Sequence, residues 1–151
     1  MISGVQVKQL KPHADERGFL MELLREDDAI FSHFGQCYVS LNYPGVVRAW
    51  HYHKKQDDLI TAVKGMVKLV LYDGRDDSLT KGTVEEYFLG EQNHLLVRIP
   101  VRVMHGYKTV GTEPATIVNF PTKAYDPTQP DEYRLPWDSR EIPYDWALKN
   151  H

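Results

Sequence analysis

The sequence predicts an all-β protein built as a double-sheet jelly roll. Eight or nine short runs alternate apolar and polar residues with a period of two, which is the pattern of half-buried strands. Turn residues separate these runs at short intervals, as at Pro44-Gly45, Lys64-Gly65 and Asp73-Gly74. Aromatic residues make up 11% of the chain, and they favour strands. Short strands at this spacing indicate a sandwich or barrel rather than alternating strands and helices.

The predicted elements follow in chain order. "GVQVKQL" predicts a first strand, and "DERGFLMELL" a turn followed by a strand. "DDAIFSHF" predicts one short helix capped by Asp27 or Asp28. The strand-like runs that follow are QCYVSLNY, VVRAWHYH, DLITAVKG, MVKLVLYD, TVEEYFLG, HLLVRIP, VMHGYKTV and ATIVNFP.

Composition changes from Pro121 onward, where prolines, tyrosines and two tryptophans accumulate. This predicts an extended tail lying across the protein, in which Trp137 and Trp146 pack as a lid or edge cover. With no linker or repeat, residues 1–151 are expected to form a single domain.

Charge and cysteine usage limit the function classes. The net charge of −3 argues against nucleic-acid binding, which requires a basic domain. The apolar runs are shorter than a membrane span, and the N-terminus lacks the pattern of a signal peptide. Cys37 is the one cysteine, so no intramolecular disulfide can form and a cytoplasmic location is expected.

The histidines of "GVVRAWHYHKKQDDLITAVKG" are the first candidates for chemistry. His51 and His53 are two residues apart, so on a regular strand they project from the same face. His105, near the start of a later strand, and Asp58 are close enough in the pattern to join them. Three histidines and a carboxylate form a possible site for zinc, iron, nickel or manganese.

The spacing of these residues resembles a cupin signature. The sequence places Gly45, His51, His53, Asp58 and Gly65 at the intervals of the first cupin motif, with Asp in place of the usual Glu. "PVRVMH" resembles the second motif, with an arginine in its glycine position. The resemblance implies a cupin double-stranded β-helix, a fold that many metal-free proteins share.

A closer resemblance extends over most of the chain. "DERGFLMEL", "GVVRAWHYH", "YDGRDDSLTKG" and "IPVRVMHGY" occur in this order, and together they resemble the dTDP-4-dehydrorhamnose 3,5-epimerase family. That family implies a metal-free cupin without a cofactor, usually a homodimer, that acts on a nucleotide-diphosphate sugar. A 4-keto sugar has acidified C–H bonds beside its carbonyl. A neutral histidine can remove such a proton, and arginines can hold the diphosphate.

The resemblance assigns roles to individual residues. It makes His51 the general base and His105 a pocket residue. The residues that it places on the substrate or its nucleotide are Arg17, Glu22, Gln36, Arg48 and, within one residue of alignment, Glu132. A regular strand would place Arg48 and His51 on opposite faces, so the shared site requires a bulge or bend between them.

The chain departs from the family pattern on the acid side of the reaction. The family's lysine corresponds to Asp58, and its proton-donating tyrosine corresponds to Asn119. The aspartate that partners the base corresponds to Ser139, although Asp138 is adjacent. Tyr125 corresponds to a second family tyrosine and is a candidate to replace the missing one.

His53 suggests an alternative function. "HYHK" resembles the "His-x-His-Lys" of nucleotide-sugar 3,4-ketoisomerases, in which paired histidines move protons between neighbouring carbons. However, "YDGRDDSLTKG" and the tail "PDEYRLPWDS" look more like the epimerases, so the sequence favours an epimerase. Its alternatives are a ketoisomerase, a metal-binding cupin that uses His51, His53, Asp58 and His105, and a catalytically inactive sugar-nucleotide binder.

Overall fold

The computed structural model describes residues 1–149. In that range the chain forms twelve strands and no helix, and therefore no helix long and apolar enough to cross a membrane. The strands are β1 (Gln6–Gln9), β2 (Pro12–Asp15), β3 (Gly18–Met21), β4 (Tyr38–Asn42), β5 (Val47–Tyr52), β6 (Asp58–Lys64), β7 (Met66–Tyr72), β8 (Val84–Gly90), β9 (Leu95–Ile99), β10 (Met104–Val110), β11 (Ala115–Asn119) and β12 (Tyr133–Arg134).

Two antiparallel five-stranded sheets form the body of the protein. The first sheet has the order β1-β9-β6-β11-β4, and the second has the order β12-β5-β10-β7-β8. Strands β2 and β3 form a separate hairpin. Apolar side chains of both sheets, among them Ile60, Leu69, Val97 and Ile117, pack together in one buried cluster. The all-β cupin prediction is confirmed.

The tail covers the outer face of the second sheet. Trp146 is buried, and its ring centroid lies 5.0 Å from that of Trp50 on β5. Ile142 and Val70 belong to the same cluster, which explains why β7, which lies between β10 and β8, is buried on both faces rather than alternating. Trp137, by contrast, is 54% exposed, so only one of the two tryptophans acts as a cover.

The short helix predicted at residues 27–34 is wrong, because this segment consists of turns and irregular backbone. Asp28 accepts a hydrogen bond from the backbone N–H of Arg25 (2.8 Å) and forms an ion pair with Lys8 of β1. Ile30 is buried against Leu10 and Leu59. These long-range contacts fix a compact loop and override the local helical pattern.

Candidate active site

A bulge in β5 brings Arg48 and His51 to the same cavity. His105 of β10 pairs with His51, and Tyr107 pairs with Arg48. Three residue steps on β5 therefore oppose two steps on β10, which is the signature of a β-bulge. The irregularity that the sequence required between Arg48 and His51 is thus present.

Gly106 allows the bulge to approach its neighbour. A Cβ atom at Gly106 would lie 2.2 Å from the Cβ of Ala49 and 2.8 Å from the carbonyl oxygen of Arg48. Only a glycine leaves room for the displaced backbone of β5 at this point. The position of His51 therefore depends on a residue of the neighbouring strand.

The side chains of His51, His53, Asp58 and His105 meet at one end of the sheets, and we call them the histidine cluster. The ring centroid of His51 lies 4.1 Å from that of His105 and 6.0 Å from that of His53. Oδ2 of the buried Asp58 lies 3.3 Å from Nε2 of His53 and 3.4 Å from Nε2 of His105. Sequence spacing predicted this grouping.

Backbone carbonyls orient two of the rings. Nδ1 of His105 donates to the carbonyl of Val103 at 3.0 Å, and Nδ1 of His53 donates to the carbonyl of Asp131. With Nδ1 protonated, a neutral ring would point an Nε2 lone pair at the Asp58 carboxylate. An attractive contact between Nε2 and the Asp58 carboxylate therefore requires a positive charge, either a second proton on the ring or a metal ion.

Protonation of His53 supplies such a charge. Burial opposes it, but the hydrogen bond and negative charge of Asp58, together with the Asp131 carbonyl, outweigh burial and raise the pKa of His53. Burial also opposes ionisation of Asp58, yet its contacts with His105 and His53 hold the pKa of Asp58 well below its ordinary value. These contacts favour an imidazolium at His53 beside a carboxylate at Asp58.

His51 has the opposite electrostatic environment. Burial, together with electrostatic repulsion from the neighbouring His105 and His53, holds the pKa of His51 well below its ordinary value. Its imidazole is therefore neutral near pH 7 and has a free lone pair. A neutral imidazole beside a substrate cavity is suited to accept a proton.

The histidine cluster also has the composition of a metal site. Its four candidate ligand atoms all lie within 4.8 Å of one another. Imidazole nitrogens with a carboxylate suit zinc and other first-row divalent ions. The lone pairs of the histidine nitrogens and of Asp58 can thus share a proton or bind a metal ion. Elemental analysis of the protein distinguishes these two states.

A cavity of ≈ 420 Å³ opens between the two sheets beside His51. Its walls come from β4, β6 and β11 of the first sheet and from β5, β10 and β12 of the second. Two guanidinium groups, those of Arg48 and Arg134, line it together with the predicted Asn119 and Glu132. Nε of Arg48 donates to Oδ1 of Asn42 at 2.9 Å, which orients the arginine. We refer to this space as the first cavity.

A second cavity of ≈ 450 Å³ adjoins it. His53 and the predicted Gln36 and Tyr125 line this space, and Gln36 Oε1 accepts a hydrogen bond from the Tyr125 backbone N–H at 3.0 Å. The two cavities have His51, Tyr38 and Glu132 in common. His51 therefore lies where the two spaces meet.

Besides His105 and Asp58, which are buried in the histidine cluster, three predicted site residues lie outside both cavities. Arg17 is at the exposed tip of the β2–β3 hairpin, where it forms an ion pair with Asp15. Glu22 follows the same hairpin and forms an ion pair with Arg25. Asp138 is exposed in a turn after β12. A single chain does not bring these residues to His51, and their roles stay predictions.

Sequence reasoning missed several residues that line the cavities, among them Tyr38 and Arg134. Tyr38 follows Gln36 on the strand-like run "QCYVSLNY", and Arg134 follows Glu132 in "DEYRLPW". Each lies two residues after a predicted site residue, and residues two apart on a strand share a face. This spacing could have identified both.

Comparisons with known proteins agree with this geometry. A family model described as dTDP-4-dehydrorhamnose 3,5-epimerase matches residues 1–151. The spore coat polysaccharide biosynthesis protein SpsL of Bacillus subtilis (strain 168) is 51% identical over 146 residues, covering 97% of this chain and 97% of the relative. The probable low-salt glycan biosynthesis epimerase Agl13 of Haloferax volcanii is 43% identical over 152 residues, covering 99% and 97%.

Solved structures extend the likeness to three dimensions. The crystal structure of a dTDP sugar isomerase from Desulfovibrio desulfuricans G20 matches with a TM-score of 0.92 and 34% identity. The match covers 99% of this chain and 94% of that chain. Fold and sequence therefore point to the same group of proteins.

Proposed function

Because the chain belongs to the dTDP-4-dehydrorhamnose 3,5-epimerase family, we propose that it epimerises a nucleotide-linked 4-keto-6-deoxy sugar with His51 as the general base. The observation that carries this role is the position of His51, a neutral imidazole at the junction of two cavities. Two relatives are named for polysaccharide or glycan biosynthesis, and the product is proposed to serve such a pathway.

The reaction begins with removal of a proton beside the ketone. His51 accepts it, and the electrons of the C–H bond move to the carbonyl oxygen to form an enolate. Both N–H groups of a protonated His53 face protein acceptors, Asp58 and the Asp131 carbonyl. Its ring, which lines the second cavity, would therefore stabilise the enolate through its charge rather than by donating a hydrogen bond. Return of a proton to the opposite face inverts the stereocentre.

Two arginines of the first cavity are suited to hold the diphosphate. Guanidinium groups bind phosphate oxygens in pairs, and Arg48 and Arg134 line the same space as His51. Arg134 also pairs with His51 across β12 and β5. The diphosphate would therefore lie beside the base and leave the sugar at the junction of the cavities.

A deuterium-exchange experiment tests this function. The protein is incubated in D₂O with a dTDP-linked 4-keto-6-deoxyhexose, and proton NMR follows C3 and C5. We expect deuterium at one or both carbons with inversion. Migration of the carbonyl would indicate the 3,4-ketoisomerase instead, and tight binding with all hydrogens retained would indicate an inactive binder.

A pair of variants isolates the base. His51→Asn should abolish exchange while dTDP affinity changes little. His33→Asn makes the same substitution at an exposed histidine outside both cavities and should leave exchange unchanged. Exchange at the wild-type rate in His51→Asn would remove His51 from the base role.

The apolar outer face of β4 supports a homodimer. Val39 and Leu41 project from this edge strand and are 64% and 50% exposed. Exposed apolar edge strands are normally covered, and a second copy of the chain is the proposed cover. Any contact of Arg17 with substrate then requires the hairpin of the second copy. Light scattering of wild-type protein and Leu41→Lys tests this, since the variant should shift toward monomer.

The proposed location is the cytoplasm. Cys37 is the one cysteine of the sequence, and its thiol is free and exposed. Such a thiol persists in a reducing compartment. A fluorescent fusion that is exported from the cell would contradict this location.

A further inference from the structure

Tyr38 is a cavity residue with no role in the reaction outlined above. It lies on β4 directly opposite Asn119 of β11. Its hydroxyl oxygen accepts a hydrogen bond from Nδ2 of Asn119 at 2.8 Å. The side chain lines both cavities, as His51 does.

The two residues occupy opposite walls of the cavity. Tyr38 belongs to a strand of the first sheet, and His51 belongs to a strand of the second. An epimerase must take a proton from one face of the sugar ring and deliver a proton to the other. A ring held between the sheets would present one face to His51 and the other to Tyr38.

Other hydroxyl groups fit this position less well. Tyr107 of β10 is on the same sheet as His51, and its hydroxyl is 3.1 Å from that of Ser40. Tyr125 lines only the second cavity, and its exposure of 58% differs little from the 46% of Tyr38, so the cavity that each phenol lines decides between them. Among the residues described, Tyr38 is the one phenol that lines both cavities from the wall opposite His51.

We propose, as an extension that rests on the proposed function, that Tyr38 is the general acid that protonates the sugar carbon on the face opposite His51. The Tyr38 O–H bond breaks, a new C–H bond forms at the carbon that lost its proton, and the enolate becomes a ketone again. Tyr38 is left as a phenolate and His51 as an imidazolium. Proton exchange with water returns both to their starting forms, so the reaction is a net isomerisation.

Asn119 positions this phenol. Because its amide N–H occupies a lone pair of the phenol oxygen, the hydroxyl hydrogen is free to point into the cavity. The same N–H stabilises the phenolate that remains after transfer. Although Tyr38 is 46% exposed, desolvation around its hydroxyl and the negative charge of Asp58 raise the pKa of Tyr38 to about 12. The phenol therefore stays protonated until it transfers its proton to the sugar carbon.

If Tyr38 is the general acid, its loss should affect inversion of the stereocentre but not exchange of the substrate hydrogen. In D₂O, Tyr38→Phe should still exchange the substrate hydrogen, because His51 can remove and return a proton on one face. Inversion should fall at least about 100-fold, the usual contribution of a general acid. Tyr43→Phe changes an exposed tyrosine outside both cavities and should retain both activities.

Two results would overturn the assignment. One is inversion by Tyr38→Phe near the wild-type rate, particularly if Tyr125→Phe loses it. Another is loss of exchange together with inversion in a folded Tyr38→Phe, which indicates substrate binding instead. If wild-type protein neither exchanges nor inverts, the proposed function itself fails, which is a separate outcome.

A variant of the positioning residue gives an independent readout. Asn119→Asp replaces a donor to the phenol oxygen by an acceptor that holds the hydroxyl hydrogen. The ratio of inversion to exchange should fall, with little change in dTDP affinity. A purely structural role for Asn119 would lower both rates together and leave their ratio unchanged, which contradicts the proposed positioning.

Discussion

Replacement of Asp58 by asparagine tests whether one buried charge holds the histidine cluster together. Asp58 is 1% exposed, and its Oδ2 lies 3.3 Å and 3.4 Å from the Nε2 atoms of His53 and His105. Asparagine keeps the size of the side chain and an oxygen for Gln56, whose Nε2 donates to Oδ1 at 3.0 Å. The substitution therefore removes the charge and little else.

The expected loss follows from the buried pair of Asp58 and His53. Removing one partner of a buried ion pair costs about 3–5 kcal/mol. Since the His53 contact is long and Nε2 of His105 has no hydrogen-bond partner, the lower value applies, and Asp58→Asn should lower the free energy of unfolding by about 3 kcal/mol near pH 6.

The loss should depend on pH with a definite sign. The pKa of His53 is raised in the folded protein, so its contribution is fully present below about pH 6.5 and is lost as the pH rises through the folded value. The pKa of Asp58 is lowered, so its contribution is present above about pH 4 and is lost as the pH falls through the folded value. The penalty should therefore be greatest in mildly acidic buffer and shrink in alkaline buffer.

Urea unfolding at about pH 6 and about pH 9, in the presence of EDTA, measures this difference. Asp77→Asn is the matched control, because Asp77 is 69% exposed and pairs with Arg102 at the surface. That variant should lose less than about 1 kcal/mol at either pH. A penalty for Asp58→Asn below about 1 kcal/mol near pH 6, or one that grows with pH, would refute the reasoning.

Three further predictions concern the bulge, the tail and metal. Gly106→Ala should lower the free energy of unfolding by about 1–3 kcal/mol through overlap with Ala49. The double variant Gly106→Ala/Ala49→Gly should regain part of this stability. A double variant that is no more stable than Gly106→Ala would contradict the overlap. Trp146→Ala should cost about 3–5 kcal/mol, whereas Trp137→Ala, at an exposed position, should stay within about 0.5 kcal/mol; equal costs would contradict the cover. Elemental analysis of protein purified without chelator should find well below one equivalent of metal. Added Zn²⁺ should bind the histidine cluster and so inhibit exchange of the substrate hydrogen in D₂O. Stoichiometric metal in active protein would favour the metal-binding alternative.

Local patterns in the sequence predicted much of the site. Alternation on one strand placed His51 and His53 together, and the later run "PVRVMH" contributed His105. Arg102, at the glycine position of that motif, has a φ of 67°, a left-handed conformation that glycine adopts more readily. The motif therefore specifies a backbone turn as well as a ligand, and this sequence forms the turn without the glycine.

The errors arose where distant contacts decide the structure. The helix predicted at residues 27–34 was overridden by the pairing of Asp28 with Lys8 on another strand. The bulge between Arg48 and His51 was expected, but its cause was not, because it depends on Gly106, more than fifty residues away in the sequence. Strand register and the fit of one backbone against another are properties of pairs of segments, so a single stretch of sequence does not contain them.

The proton-donating group of the site shows how the pairing of two strands can preserve a function. By resemblance, the proton-donating tyrosine corresponds to Asn119, and read along one strand this suggests a defective enzyme. The structure pairs Asn119 with Tyr38 on the neighbouring strand, and directly opposed side chains in an antiparallel sheet start about 4.5–5.5 Å apart. A phenol on either strand can therefore reach the same region of the cavity, with the amide opposite it as a hydrogen-bond donor. A missing residue in a sheet motif argues against activity only after its cross-strand partner has been considered.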